Sequence, residues 1–260
     1  SFSIFPGQIV LARGIYEEGK GMKVRDLYTG VEPQPPSSDK KSILEDLKES
    51  PLSIAVAAGP FTTEDNLDYA PLNDLLEVVK ENEPDILILM GPFVDERQPI
   101  VASGITLLAV DENCSEVVDM ENLFRLRIIE KLKKLMAESS SRTKFVLVPN
   151  TNDFCHTSTY PQPPLKDTVP GGCLYGVEGE FKDEIFLGLG LSENDDRIYC
   201  LPNPSAFKAK GVTIALTSQD IVSDLSSEEV SGGGTKRRAR MARILEHFFL
   251  QKNLYPLRPP

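Results

Sequence analysis

Three apolar runs dominate the pattern of hydrophobic and polar positions. They cover residues 53–58, 85–90 and 144–148, and each runs into a tight polar or proline-marked turn. The turns read Gly59-Pro60-Phe61, Gly91-Pro92-Phe93-Val94-Asp95 and Pro149-Asn150-Thr151-Asn152-Asp153. Near-continuous apolar runs of this length predict strands covered on both faces, as in a parallel sheet. Between the first two runs, Leu72, Leu75, Leu76 and Val79 recur at helical spacing up to about Asn82, and Pro84 stops the helix. The resulting βαβ unit implies a right-handed crossover. A second helix is expected over residues 121–138, with Leu123, Phe124, Ile128, Leu132 and Leu135 on one face. The predicted class is therefore α/β, shading into α+β after residue 153. There residues 184–191, 197–201 and 212–216 read as further strands.

The ends of the chain follow other periods. Residues 2–16 and 22–28 alternate about a glycine-containing turn, as a β-hairpin or part of a small barrel does. Residues 32–38 are Pro/Ser-rich and residues 157–170 are proline-rich and polar, so a linker and a surface loop are expected. The acidic stretch 111–121 reads as a loop entering a helix. Thr217 or Ser218 is placed to cap a short helix over 221–225. After the glycine run that follows Ser231, a basic helix is expected over 236–251. The expected division is 1–35 as a barrel portion, 36–50 as a crossing segment and 51–260 as the main domain.

Composition narrows the functional classes. The 260 residues are 40% hydrophobic and 26% charged, enough for a substantial core. The net charge of −11 opposes direct engulfment of nucleic acid, because such affinity comes from neutralising phosphates. Any link to DNA is expected to be indirect, through a partner or one local patch. Lys236, Arg237, Arg238, Arg240 and Arg243 form that patch; they read as a solvated helix face or as a docking site for an acidic partner or phosphate backbone. Cys114, Cys155, Cys173 and Cys200 lack the paired spacing of zinc ligands and read as thiols in a reducing, intracellular compartment. Gly188 and Gly190 lack the third glycine of a dinucleotide loop, so no cofactor is expected. Of the two histidines, His247 is expected to pack or cap. His156 follows a strand-end turn and is the candidate base, although no local Ser or Cys arrangement supports it.

The order of turns resembles the calcineurin-like metallophosphoesterases, in which strand ends carry Asp-x-His, Gly-Asp-x-x-Asp, Gly-Asn-His-Asp and later histidines around two metals. Aligned on that pattern, the bridging carboxylate becomes Pro92, the ligand asparagine Thr151 and the catalytic histidine Asn152. Asp95 and Asp153 are retained, and Leu216-Thr217-Ser218-Gln219-Asp220 carries no histidine. The resemblance thus implies a phosphoesterase-type β-sandwich flanked by helices, with no catalytic residue, metal or cofactor. Replacement of ligands by Pro60, Phe61, Pro92 and Phe93 would leave a rigid, partly apolar rim for protein contacts. The alternative is a residual metal-dependent phosphoesterase or nuclease using Asp95, Asp153, Asn150, Asn152 and His156.

A metal-free phosphoesterase fold behind a barrel portion is similar to the accessory B subunits of eukaryotic replicative DNA polymerases. Within them it looks most like the branch that serves DNA polymerase alpha–primase. Phe5-Pro6-Gly7-Gln8, Gly59-Pro60-Phe61-Thr62, Gly91-Pro92-Phe93-Val94-Asp95, Tyr160-Pro161-Gln162-Pro163-Pro164 and Tyr255-Pro256-Leu257-Arg258-Pro259-Pro260 carry the resemblance. It implies that residues 1–35 end an OB-type barrel begun upstream. It also implies a nuclear, non-enzymatic scaffold for initiation of DNA replication. Its partners would be the C-terminal zinc-binding region of the polymerase catalytic subunit, primase through the complex, and other replisome proteins.

Overall fold

Alternating apolar residues about the Glu17–Gly21 turn form a hairpin near the start of the sequence. A computed structural model describes residues 2–30, 40–104, 107–111, 114–117, 120–138, 143–166, 168–170, 184–186, 197–232 and 240–257. β1 (Phe2–Ile4) precedes the antiparallel hairpin β2 (Leu11–Glu17) and β3 (Gly21–Tyr28). The hairpin carries a bulge between Arg13 and Gly14, where a Cβ on Gly14 would collide with the Lys23 carbonyl. Within the segment expected to be a linker, residues 40–49 instead form helix α1 (Lys40–Glu49). Ile43, Leu44 and Leu47 supply the helical period there.

The central sheet follows the predicted order. β4 (Ile54–Ala58), helix α2 (Ala70–Asn82) and β5 (Ile86–Met90) make the βαβ unit. After a short helix α3 (Pro99–Ala102), β6 (Leu107–Asp111) and β7 (Cys114–Val117) pair as an antiparallel hairpin. The acidic stretch expected as a loop thus supplies strand residues. Helix α4 (Met120–Phe124) passes through a π turn (Arg125–Ile129) into α5 (Glu130–Glu138), covering the expected helix, and β8 (Lys144–Val148) follows. β9 (Thr168–Pro170) pairs antiparallel with β10 (Glu184–Phe186), and β11 (Ile198–Cys200) returns to the sheet. Gly188, Gly190, Cys173 and residues 236–238 lie outside the described residues.

The four strands β4, β5, β8 and β11 lie side by side in sequence order, all parallel. Strand alternation sorts their side chains onto two faces. Leu87, Leu89, Phe145 and Leu147 join Leu72, Leu76, Val79, Ile128, Leu132 and Leu135 from the helices. Ile86, Ile88, Val146 and Val148 join Phe207, Ile214 and Leu216 of the hairpin β12 (Ser205–Ala209) and β13 (Val212–Leu216). Both faces of β5 and β8 are therefore covered, which is why those runs read as continuously apolar. The class is α/β.

Compactness groups residues 43–219 as one unit and residues 1–42 with 220–260 as another. In the second unit, α6 (Ile221–Glu228) leads to β14 (Val230–Gly232), which pairs antiparallel with β1, and then to α7 (Arg240–Gln251). Asp220 caps α6, its carboxylate accepting from the Ser223 N–H at 3.0 Å. Thr217 and Ser218, the caps expected, are engaged elsewhere, as shown below. Phe5, Leu225 and Ile244 form the core of this unit. His247 packs there edge-on to Phe5, with ring centroids 5.2 Å apart, and its Nε2 lies 2.7 Å from Ser3 Oγ. Ser3 in turn donates to Glu229, which is held by Arg243. A serine that donates to a carboxylate is not held as a nucleophile; the contact ties β1 to α7.

We expect Leu89→Ala, which opens a void between sheet and helices, to cost about 2–5 kcal/mol in urea unfolding. Val56→Thr, on the exposed side of the edge strand β4, should change stability by less than about 0.5 kcal/mol.

Candidate functional site

The carboxyl ends of β4, β5 and β8 stop in register because each strand's last amide is still in the ladder. Gly59 N–H donates to the Met90 carbonyl and Gly91 N–H to the Val148 carbonyl, both at 2.8 Å. The Gly59–Pro60 and Gly91–Pro92 peptides are both cis. Neither glycine has room for a side chain: a Cβ on Gly59 would strike the Pro92 carbonyl, and one on Gly91 would strike Asp153 Oδ2. The turns are thus packed against one another.

Asp153 holds them. It is buried, and its Oδ1 accepts from the Phe93 and Val94 N–H groups while Oδ2 accepts from the Asn150 N–H at 2.7 Å. One carboxylate therefore joins the turn after β5 to the turn after β8. Backbone bonds reinforce the join, from Phe154 N–H to the Val94 carbonyl at 2.8 Å and from Glu96 N–H to the Asn152 carbonyl at 3.0 Å. Burial pushes the Asp153 carboxyl up to about 7, with Asp95 adding repulsion, while the three N–H donors pull the other way.

The remaining candidates are each given to an internal bond. Asp95, half-buried, accepts from the Arg97 N–H at 2.9 Å. Asn150 accepts from the Asn152 N–H and donates through Nδ2 to the Ser218 carbonyl at 2.6 Å. The Asn152 side chain accepts from Arg97 Nη2 at 2.6 Å, and Thr151 Oγ1 donates to Gln219 at 3.1 Å. His156 is buried, and its Nε2–H donates to the Pro163 carbonyl at 2.7 Å. Burial lowers its pKa, and that bond opposes the shift. Its Nδ1 is enclosed without a partner among the described residues. Pro92 is buried in the second turn. The structure brings Asp95, Asn150, Asn152 and Asp153 together at one end of the sheet, but it turns their polar atoms onto the protein's own backbone and side chains. Among the described residues no group of three or more His, Cys, Asp or Glu side chains is arranged to hold a metal ion.

Two features escape a reading of the sequence. First, Gln162 and Asn203 are 2% and 0% exposed and exchange main-chain bonds at 2.7 and 3.1 Å. Gln162 Nε2 donates to the Asn150 and Thr157 carbonyls, and Asn203 Oδ1 accepts from Thr217 Oγ1 and the Ser218 N–H. This network draws residues 157–166 inward, so the expected surface loop buries Gln162 and Leu165. It also occupies the residues expected to cap α6. Second, the rim of Pro60, Phe61, Pro92 and Phe93 does not form. Phe61 and Phe93 are 4% and 1% exposed and stack with centroids 5.7 Å apart, and Phe93 meets Phe124 edge-on. Apolar rings leave water wherever a core is within reach, and the turns fold them inward. Of the four, Pro60 alone is exposed.

Comparison with known proteins fits this picture. Residues 54–260 match the family of DNA polymerase alpha and epsilon B subunits, and the chain belongs to that family. Its relatives include the DNA polymerase alpha B subunits of Mus musculus and Drosophila melanogaster, each 31% identical over the whole of this chain. The corresponding protein of Schizosaccharomyces pombe is 28% identical, again over the whole chain. The chain spans 37%, 34% and 40% of these three proteins, a little over a third of each.

At pH 5, Asp153→Ala should destabilise the chain by at least about 3 kcal/mol, because it orphans three enclosed N–H donors. Asp95→Ala should cost less than about 1 kcal/mol. A carboxyl raised in the fold binds its proton longer than in the unfolded chain. Its contribution therefore falls as pH rises from about 4, the unfolded value, to about 7. The Asp153→Ala deficit should accordingly shrink between pH 5 and 7; chemical unfolding at several pH values checks it.

Proposed function

We propose that the chain is a non-catalytic accessory segment of the DNA polymerase alpha–primase assembly, acting in the nucleus as a scaffold for initiation of DNA replication. Family membership carries this reading, and the use of every candidate ligand inside the protein supports it. In this reading residues 51–260 derive from a calcineurin-like phosphoesterase whose site persists as Pro92, Asp95, Thr151, Asn152 and Asp153. A divalent ion needs several open oxygen or nitrogen donors. Here Asp153 and Asn150 would have to release the turns they join, so the donor set does not fit a metal and no hydrolytic step runs through it.

The partner would be the C-terminal zinc-binding region of the catalytic subunit, with primase and other replisome proteins reached through the complex and DNA only indirectly. The amino-terminal strands would belong to an OB-type barrel. In support, β2 and β3 present Leu11, Ile15, Tyr16, Met22, Val24 and Tyr28 to solvent, apolar surface of the kind that further strands or a partner covers.

Co-expression with the catalytic subunit's C-terminal region tests the proposal. A stoichiometric complex that survives size-exclusion chromatography is expected. Separate elution of the two would overturn the scaffold reading. With manganese present, the chain should not cleave a simple phosphodiester, and turnover abolished by Asp95→Ala would establish the alternative.

A further inference from the structure

Away from the strand ends, positive charge collects where the π turn and α5 pass the start of α2. Arg127 and Lys131 are i and i+4 neighbours, so they share one helix face, and both are half-buried. Lys131 Nζ donates to the Asp68 carbonyl at 3.1 Å and lies 5.8 Å from the centre of the Tyr69 ring. Arg127 Nη2 approaches Asp68 Oδ1 at 3.9 Å, within ion-pair reach but beyond hydrogen-bond distance. Its Nε is enclosed with no partner among the described residues.

Among the described residues the local charges do not balance. Two cations face one carboxylate, whose side chain is 70% exposed. The first turn of α2 carries no acidic residue. Neighbouring Arg125 is already bound to Glu130 and Asn122, so Glu130 is committed as well. Lys131 registers the excess. Its pKa is pushed down to about 8, first by burial and then by repulsion from Arg127, with Asp68 opposing.

A guanidinium whose terminal nitrogen is only loosely paired, beside an ammonium, is matched by a compact oxyanion, which takes the terminal N–H groups of one and the point charge of the other. We propose that Arg127 and Lys131 form a binding site for the phosphate of a phosphorylated protein side chain. A terminal phosphate brings up to two negative charges to a single point, and this site offers two positive ones there. A nucleic-acid strand needs several neutralised phosphates along its length and meets a chain of net charge −11.

The probes are inorganic phosphate, O-phosphoserine, serine and a single-stranded oligonucleotide, each added to the unmodified chain. The first readout is the titration of Lys131, followed by its acylation rate and mass spectrometry, and needs no variant. Phosphate and phosphoserine should raise its apparent pKa and protect it at pH 8, whereas serine should do neither. In a binding assay, Arg127→Gln and Lys131→Gln should each weaken phosphoserine at least about tenfold. Arg127→Gln should also raise the Lys131 pKa with no ligand present. An unshifted Lys131 titration in saturating phosphate would overturn the proposal. So would equal binding by the Gln variants, or tighter binding of the oligonucleotide than of phosphoserine. None of these outcomes depends on assembly with the polymerase.

Discussion

At the carboxyl end of the central sheet, one buried carboxylate decides where two turns go. Asp153 takes N–H donors from Phe93, Val94 and Asn150, groups that would otherwise be enclosed without acceptors. Everything nearby is arranged around that capture. Gly91 must lack a side chain for the carboxylate to fit, and Gly59 must lack one for the Pro92 carbonyl to fit behind it. With Phe93 pinned by its own amide, its ring points into the core between Phe61 and Phe124. The polar capture and the aromatic packing are thus two sides of one turn. Loss of the first would loosen the second.

The direction in which the polar atoms at these strand ends point sets what they can do. Catalytic carboxylates are useful when their oxygens face a cavity and a metal or substrate offsets the cost of leaving them open. Here the oxygens face amide groups of the same chain. Asn150 and Gln162 extend the pattern: each polar atom meets a carbonyl or an amide, and Asn203 closes the network with no exposure at all. A fully satisfied buried network of this kind favours one conformation over its neighbours.

The central strands were legible because burial on both faces leaves an unbroken apolar run, and the α2 and α4–α5 region because its apolar period is regular. The rest was hidden for specific reasons. Helix α1 follows a Pro/Ser-rich stretch and is rich in lysine and glutamate, which masks the spacing of Ile43, Leu44 and Leu47. Strands β6 and β7 lie in and beside an acidic stretch that reads as a loop. Thr217 and Ser218 are the expected N-caps, but Asp220, two residues beyond Ser218, is also of a type that suits one. The choice falls to Asp220 because Asn203 and the Pro149 carbonyl engage the other two. Asp95 and Asp153 were found from their turns, but their bonding was not, since acceptance by backbone amides leaves no trace in residue type. The inward course of Phe61 and Phe93 has the same origin: a sequence shows an apolar ring, and only packing shows which way it points.

The way the chain divides has a consequence for synthesis. Residues 43–219 close on themselves, whereas the other unit needs residues 1–42 together with 220–260. β1 finds its only described strand partner in β14, and Ser3 meets Glu229 and His247, all near the far end of the chain. During translation residues 43–219 can therefore fold while β1 waits, unpaired, for β14 to emerge. A nascent chain exposed as far as residue 219 would display the finished sheet and a β1 still without its strand partner.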